Sequence, residues 1–193
     1  PVTEMITGVD IVQKQLEIAS GKKLNLIQDD LLPKGHSIEA RVYAEDPSNG
    51  FLPSTGRLLE WSPPSGPGIR VDSGVRRGDE ITIDFDPMLA KLIVHAPDRD
   101  SAIRRMDSAL SSFVALGLKT NLDFLRCSVT HPSFHGGEIN TDFLGDTPME
   151  ELTPPNSDET MLVAIAATSR KLGLCRPLND LGEISGDSAE NPG

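Results

Sequence analysis

The apolar residues change their spacing along this chain, and the change sorts the fold. Over 36–44 they alternate: Ile38, Ala40, Val42 and Ala44 fall on one side, Glu39, Arg41 and Tyr43 on the other. A two-residue period describes a strand with one buried face. The stretch 88–96 is apolar around Lys91 and reads as a buried strand. Shorter strands are expected at 57–61, 69–72 and 80–84, the last with Ile81 and Ile83 opposite Thr82 and Asp84, and the Pro-Pro-Ser-Gly-Pro-Gly run at 63–68 is a loop. From 98 the spacing becomes helical. Ile103, Met106, Leu110 and Phe113 are three and four apart, which predicts one helix to about 116, closed by Gly117. Asn121 is placed to cap another helix carrying Leu122, Leu125 and Val129 and ending near His131-Pro132. Residues 2–20 also read as helix, broken at Gly8, with Thr7 and Asp10 resembling an acidic capping box and Val9, Ile11, Val12, Leu16 and Ile18 forming an apolar stripe. Strands grouped together and then helices grouped together predict an α+β domain, a mainly antiparallel sheet with flanking helices.

The chain of 193 residues has room for one medium domain and a tail. The patterned part spans 1–145; 146–157 is polar and proline-containing and reads as a linker; 158–175 carries one more amphipathic helix; and 176–193 is polar and expected to lack order. The chain opens on Pro1 in a polar segment without an initiator Met, so it is expected to be a piece of something longer.

Charge and motif content exclude several functions. The formal net charge of −11 repels nucleic acid and anionic membrane surfaces, and no run of 18 apolar residues could span a bilayer. Cys127 and Cys175 belong to no cluster, which favours a reducing compartment over a disulfide framework or zinc site. No Gly-x-Ser-x-Gly elbow, phosphate-cradling loop or His-Glu-x-x-His is present. His131 and His135 have a helical ligand spacing across an unfavourable Pro132, and Asp84 and Asp86 would share a strand face as a weak cation site or a solvated edge. Arg41 stands out, flanked by Glu39 and Glu45. It reads either as a surface ion pair or as a guanidinium aimed into a cleft, where its fixed charge would stabilise an oxyanion or enolate.

Longer strings carry a resemblance. They include Pro-Val-Thr-Glu-Met-Ile-Thr-Gly-Val-Asp at 1–10, Gly-His-Ser-Ile-Glu-Ala-Arg-Val-Tyr-Ala-Glu-Asp-Pro at 35–47, Phe-Leu-Pro-Ser-x-Gly at 51–56 and Gly-Ile-Arg-Val-Asp-Ser-Gly at 68–74. Asp-Pro-Met-Leu-Ala-Lys-Leu-Ile at 86–93, Gly-x-x-Thr-Asn at 117–121 and Asn-Thr-Asp-Phe-Leu at 140–144 complete the order. In this order the strings resemble the C-terminal domain of biotin carboxylases, enzymes of the ATP-grasp fold. The resemblance implies a ligase that phosphorylates bicarbonate with ATP and Mg²⁺ and passes the carboxyl group to the ureido nitrogen of biotin on a carrier domain. Arg41 matches the arginine that stabilises the enolate-like ureido oxygen of biotin. Asn140, Thr141 and Asp142 match a segment near the adenine of ATP, though alone they read as a helix cap. Asp86 and Lys91 match junction positions, and Arg70 a position near a subunit interface, where Pro67 departs from the usual aromatic.

The resemblance further implies that most ATP, Mg²⁺ and bicarbonate ligands lie upstream of Pro1, so that this segment supplies one wall of the site and is inactive alone. The implied partners are a biotin carboxyl carrier domain and a carboxyltransferase subunit, within an oligomer, with no nucleic acid or membrane. Gly-Val-Arg-Arg-Gly-Asp-Glu at 74–80 and His-Pro-x-Phe at 131–134 are similar to the α subunits of methylcrotonoyl-CoA carboxylases, which act in leucine degradation. That implies the mitochondrial matrix for a eukaryotic source and the cytoplasm for a bacterial one. Propionyl-CoA, acetyl-CoA and urea carboxylases share most of these strings. A non-catalytic assembly module of the same fold, and phosphoryl transfer to another acceptor, remain as alternatives.

Overall fold

The computed structural model describes residues 1–154. The helix expected within 158–175 and the tail at 176–193 lie outside the described residues. In chain order the elements are α1 (Val2–Thr7), α2 (Ile11–Ala19), β1 (His36–Tyr43), β2 (Glu45–Asp46), β3 (Leu52–Pro53), β4 (Gly56–Arg57), β5 (Glu60–Ser62), β6 (Ile69–Ser73), β7 (Glu80–Ile81), β8 (Met88–Ala96), α3 (Arg99–Ser112), β9 (Val114–Leu116), α4 (Leu122–Thr130), α5 (Pro132–Gly136) and α6 (Phe143–Asp146).

The principal sheet has the order β1-β8-β6, with β8 antiparallel to both neighbours. Ala40, Leu92 and Val71 stand in one row across it, and Ile38, Val94 and Ile69 in another. These side chains face the core, where they meet Ile103, Met106, Ala109 and Leu110 of α3 and Val129 of α4. Leu92, Val94 and Met106 are fully buried, and each such side chain contributes about 1.5–3 kcal/mol of hydrophobic stabilisation. Strands β2–β3, β4–β7 and β5–β9 form small antiparallel pairs around this body. The α+β expectation is met: the alternating strand at 36–44 and the apolar strand at 88–96 pair with each other because their apolar faces must share one core.

Local expectations fail where a distant partner intervenes. The helix expected to reach 116 stops at Ser112. Phe113 turns extended and packs edge-on against Trp61 with ring centroids 4.9 Å apart, and the next residues pair with β5 as β9. The strand expected over 57–61 divides, because Arg57 pairs with Glu80 while Glu60 pairs with Leu116. The alternation over 80–84 yields only β7, leaving Ile83 exposed. The N-terminal helix is broken at Gly8, whose φ of +73° reverses the chain. Thr7 does not form the expected capping box. Asp10 itself caps α2 by accepting from the Gln13 N–H at 2.8 Å, and the Thr7 hydroxyl bonds back to the Thr3 carbonyl. The apolar stripe of α2 is helical as expected, yet Ile11, Val12, Leu16 and Ile18 are exposed.

Asp98 starts α3, where its carboxylate accepts from the Ser101 N–H at 2.7 Å and the Ser101 hydroxyl at 2.9 Å. These bonds hold its carboxyl below the usual carboxylate range. A depressed folded-state pKa adds stability that is present above the unfolded value and lost as pH falls through the folded one. Asp98→Ala will therefore lower the urea midpoint near neutral pH, and its difference from the parent will close below about pH 4. A difference that stays constant on acidification contradicts this.

Candidate functional site

The site is built on the outward face of β1. Strand alternation sends Ala40 and Val42 into the core and leaves Glu39, Arg41 and Tyr43 on the opposite side. At its end the pairing slips: Val42 faces Ala90 but Tyr43 faces Met88, so β8 carries one extra residue, Leu89. Such a bulge bends β8, the strand with the extra residue, and raises the local twist of the pair. The slip falls one residue after Arg41.

A second device lies on the free edge of β1. Asn121, expected as a side-chain cap for α4, makes no such bond. Its Oδ1 accepts from the Tyr43 N–H at 2.8 Å, and its Nδ2 donates to the Arg41 carbonyl at 3.1 Å. Its own backbone N–H donates to the Tyr43 carbonyl at 3.2 Å, and the residue is 5% exposed. Sequence reasoning missed this residue, because an Asn before an apolar helical stretch carries the same local signal whether it caps a helix or reaches a distant strand.

Beside Arg41 opens a cavity of about 480 Å³ between β1 and the helices. Its wall is apolar, formed chiefly by Ile38, Met106, Leu110, Leu125, Val129 and Phe143. Its polar border holds Glu39, Arg41, Tyr43, Glu45 and Asn121. Phe51 also borders it, in the left-handed backbone region at φ +59° and edge-on to Phe124 with centroids 4.9 Å apart. That conformation costs a non-glycine residue about 1–2 kcal/mol.

Arg41 has a side chain 60% exposed, with Nε 3.3 Å from Oε1 of Glu39. The Glu39 carboxylate, and after it Tyr43, push the guanidinium further above its ordinary value, so it stays charged throughout. Arg41 thus forms the ion pair, and its guanidinium stays largely open at the cavity's border. Lys91 stands directly across from it on β8, on the same face. Glu45 is pushed up by burial and then by the Asp86 carboxylate.

Asn140, Thr141 and Asp142 are exposed and do not line the cavity, although Phe143 and Leu144, next in the chain, do. The Asn140 side chain accepts from the Asp142 N–H at 2.9 Å, and Asp142 sits ahead of α6 without capping it through its side chain. Arg70 is held by Asp72 at 2.8 Å and by Glu4 of α1 at 3.1 Å. Asp84 and Asp86 lie beyond β7 in an exposed segment rather than on a strand, and Asp86 accepts from the Met88 N–H at 2.9 Å. His131 ends α4, accepts from the Ser133 N–H and lies 3.1 Å from Glu151, whereas His135 lies 3.9 Å from Asp100. Among the described residues no group of three or more His, Cys, Asp or Glu side chains gathers around a common metal position.

Comparison with known proteins bears on this geometry. Residues 39–146 match the family described as the biotin carboxylase C-terminal domain. The mitochondrial methylcrotonoyl-CoA carboxylase subunit alpha of Mus musculus is 48% identical over 145 residues, which are 75% of this chain and 20% of the mouse protein. The propionyl-CoA carboxylase alpha chain of Ruegeria pomeroyi is 41% identical over 189 residues, covering 88% of this chain and 28% of that protein. Among solved structures, the biotin carboxylase domain dimer of Hydrogenobacter thermophilus 2-oxoglutarate carboxylase, in complex with MgADP, ADP and bicarbonate, superposes with a TM-score of 0.76 at 42% identity. That likeness covers 81% of this chain and 34% of the other. The chain thus spans between a fifth and about a third of the length of these relatives.

Proposed function

The chain belongs to the biotin carboxylase C-terminal domain family, and on that premise we propose that it supplies one wall of the active site of an ATP-grasp biotin carboxylase, in which residues 1–145 form the functional domain. The observation that carries this reading is a permanent cation at the border of an apolar cavity, on a strand whose register is set by a bulge. Biotin carried by a carrier domain is the substrate, and its fused ring is apolar apart from the ureido group, which suits such a border. ATP, with Mg²⁺, phosphorylates bicarbonate with release of ADP; as the carboxyphosphate breaks down, the departing phosphate takes the ureido N–H proton and the carboxyl group passes to that nitrogen. Arg41 holds positive charge beside the ureido oxygen as negative charge develops there. Glu39 holds the guanidinium at Nε and so limits the directions it can take. Asn140, Thr141 and Asp142 serve near the adenine, on the segment that precedes Phe143 and Leu144 in the cavity wall.

The finer assignment is the α subunit of methylcrotonoyl-CoA carboxylase in leucine degradation, in the mitochondrial matrix for a eukaryotic source and in the cytoplasm for a bacterial one. It would act within an oligomer, with a carrier domain and a carboxyltransferase as partners. Identity to the mouse subunit supports it. The second reading, a propionyl-CoA carboxylase α chain, is supported by the match at 41% identity over 189 residues. The acyl-CoA is chosen at the carboxyltransferase, so both readings assign the same work to this domain.

The test uses the complete protein with ATP, radiolabelled bicarbonate and free biotin. The expected result is acid-labile label on biotin, formed together with ADP. ATP cleavage that never places label on biotin overturns the reading in favour of another acceptor. Absence of both reactions favours an assembly module.

A further inference from the structure

We propose that Asn121 is a positioning residue that aims Arg41 by acting as a strand neighbour to β1, an inference that rests on the role given to Arg41 above. Among the described residues β1 is an edge strand of the principal sheet, paired with β8 on one side. An edge strand is free to twist, most of all at a bulge, where a ladder bond is lost. The register slip falls between Val42 and Tyr43, just beyond Arg41.

Asn121 covers this point from the open side. A side-chain amide has the donor and acceptor of a peptide group. Here the amide donates to the Arg41 carbonyl and accepts from the Tyr43 N–H, as a peptide of a neighbouring strand would, and the backbone N–H of Asn121 adds a bond to the Tyr43 carbonyl. The bonds bracket Val42 and hold both peptide planes that flank it. Val42 is fully buried, so the strand is fixed on its inner face as well. The plane between Arg41 and Val42 also borders the Arg41 Cα, so holding it helps to set the outward Cα–Cβ direction of Arg41. The residue comes from the start of α4, 80 positions away from Arg41, so the docking of the helix and the aim of the guanidinium are one event.

A placement error of about 1 Å at a reacting centre costs roughly a hundredfold in rate, whereas loss of fold lowers every partial reaction together. The test compares two rates in the complete protein: carboxylation of free biotin and bicarbonate-dependent ATP cleavage. Asn121→Ala removes both side-chain bonds. Asn121→Asp keeps the shape and the acceptor but sets a carboxylate oxygen against the Arg41 carbonyl. In both variants the yield of carboxylated biotin per ATP cleaved is expected to fall about ten- to a hundredfold, with ATP cleavage near the parent rate. Equal losses in the two rates, or no loss in either, overturn the proposal. If the Ala variant does not fold, the near-isosteric Asp variant decides. Arg41→Met is run beside them. If it also leaves biotin carboxylation intact, the parent reading of Arg41 fails. If Arg41→Met abolishes transfer while the Asn121 variants are normal, only the positioning role fails.

Discussion

Replacing Arg41 with Met will lower carboxylation of biotin by about a hundred- to a thousandfold, the usual loss when one preorganised oxyanion donor is removed. Bicarbonate-dependent ATP cleavage will persist, because activation of bicarbonate develops no charge on the ureido oxygen. The fold will survive as well. The Arg41 side chain is mostly exposed and packs little against the core, so its truncation leaves no internal cavity. Arg41→Lys will recover part of the rate, since it restores charge but not the planar fork. The measurement is carboxylated biotin formed per ATP cleaved, with a thermal melt beside it. Full carboxylation by the Met variant, in a protein that melts like the parent, removes Arg41 from the mechanism.

Leu92→Ala will destabilise the domain by about 2–5 kcal/mol. Leu92 is fully buried on the central strand, between Ala40 and Val71 in its sheet row and beneath α3. Small neighbours such as Ala40 and Ala109 cannot reach into the vacated space, so a cavity remains and its lining loses dispersion contacts. For a domain of this size the melting temperature falls about 2–4 °C per kcal/mol, which makes a drop of roughly 5–15 °C. Ile83→Ala is the control: that side chain is 77% exposed, and its loss will stay within about 0.5 kcal/mol. Equal effects at the two positions would mean that burial on β8 does not hold this fold together.

The strings that carry the family resemblance have structural work that local reading does not reveal. At Gly35 the chain enters β1 with φ +71°, and a Cβ there would overlap the Ala96 carbonyl oxygen. Ser54 donates its N–H to the Ala44 carbonyl and accepts from the Lys119 N–H at 2.9 Å, tying three of those strings together. Asp46 accepts from the Ser48 backbone and side chain and so shapes the turn that follows. Arg41 was legible as a candidate because its fixed charge stands between Glu39 and Glu45 in a string that resembles the family's. Phe51 was not, since a strained backbone angle leaves no mark on composition or period.

Hydrophobic period alone determined that β1 and β8 exist, which face of β1 is buried, and that helices follow the strands, because period depends only on residues a few positions apart. It also placed Arg41 on the outward face, while the family resemblance made it the candidate. Tertiary structure alone decided where α3 stops, since Phe113 answers to Trp61 and Val114–Leu116 answers to β5. It alone brought Asn121 to the edge of β1 and the apolar helix faces to the side of Arg41. Those outcomes depend on hydrogen-bond partners 78 and 80 positions distant, and the free energy that selects them appears only when the sheet and helices have met.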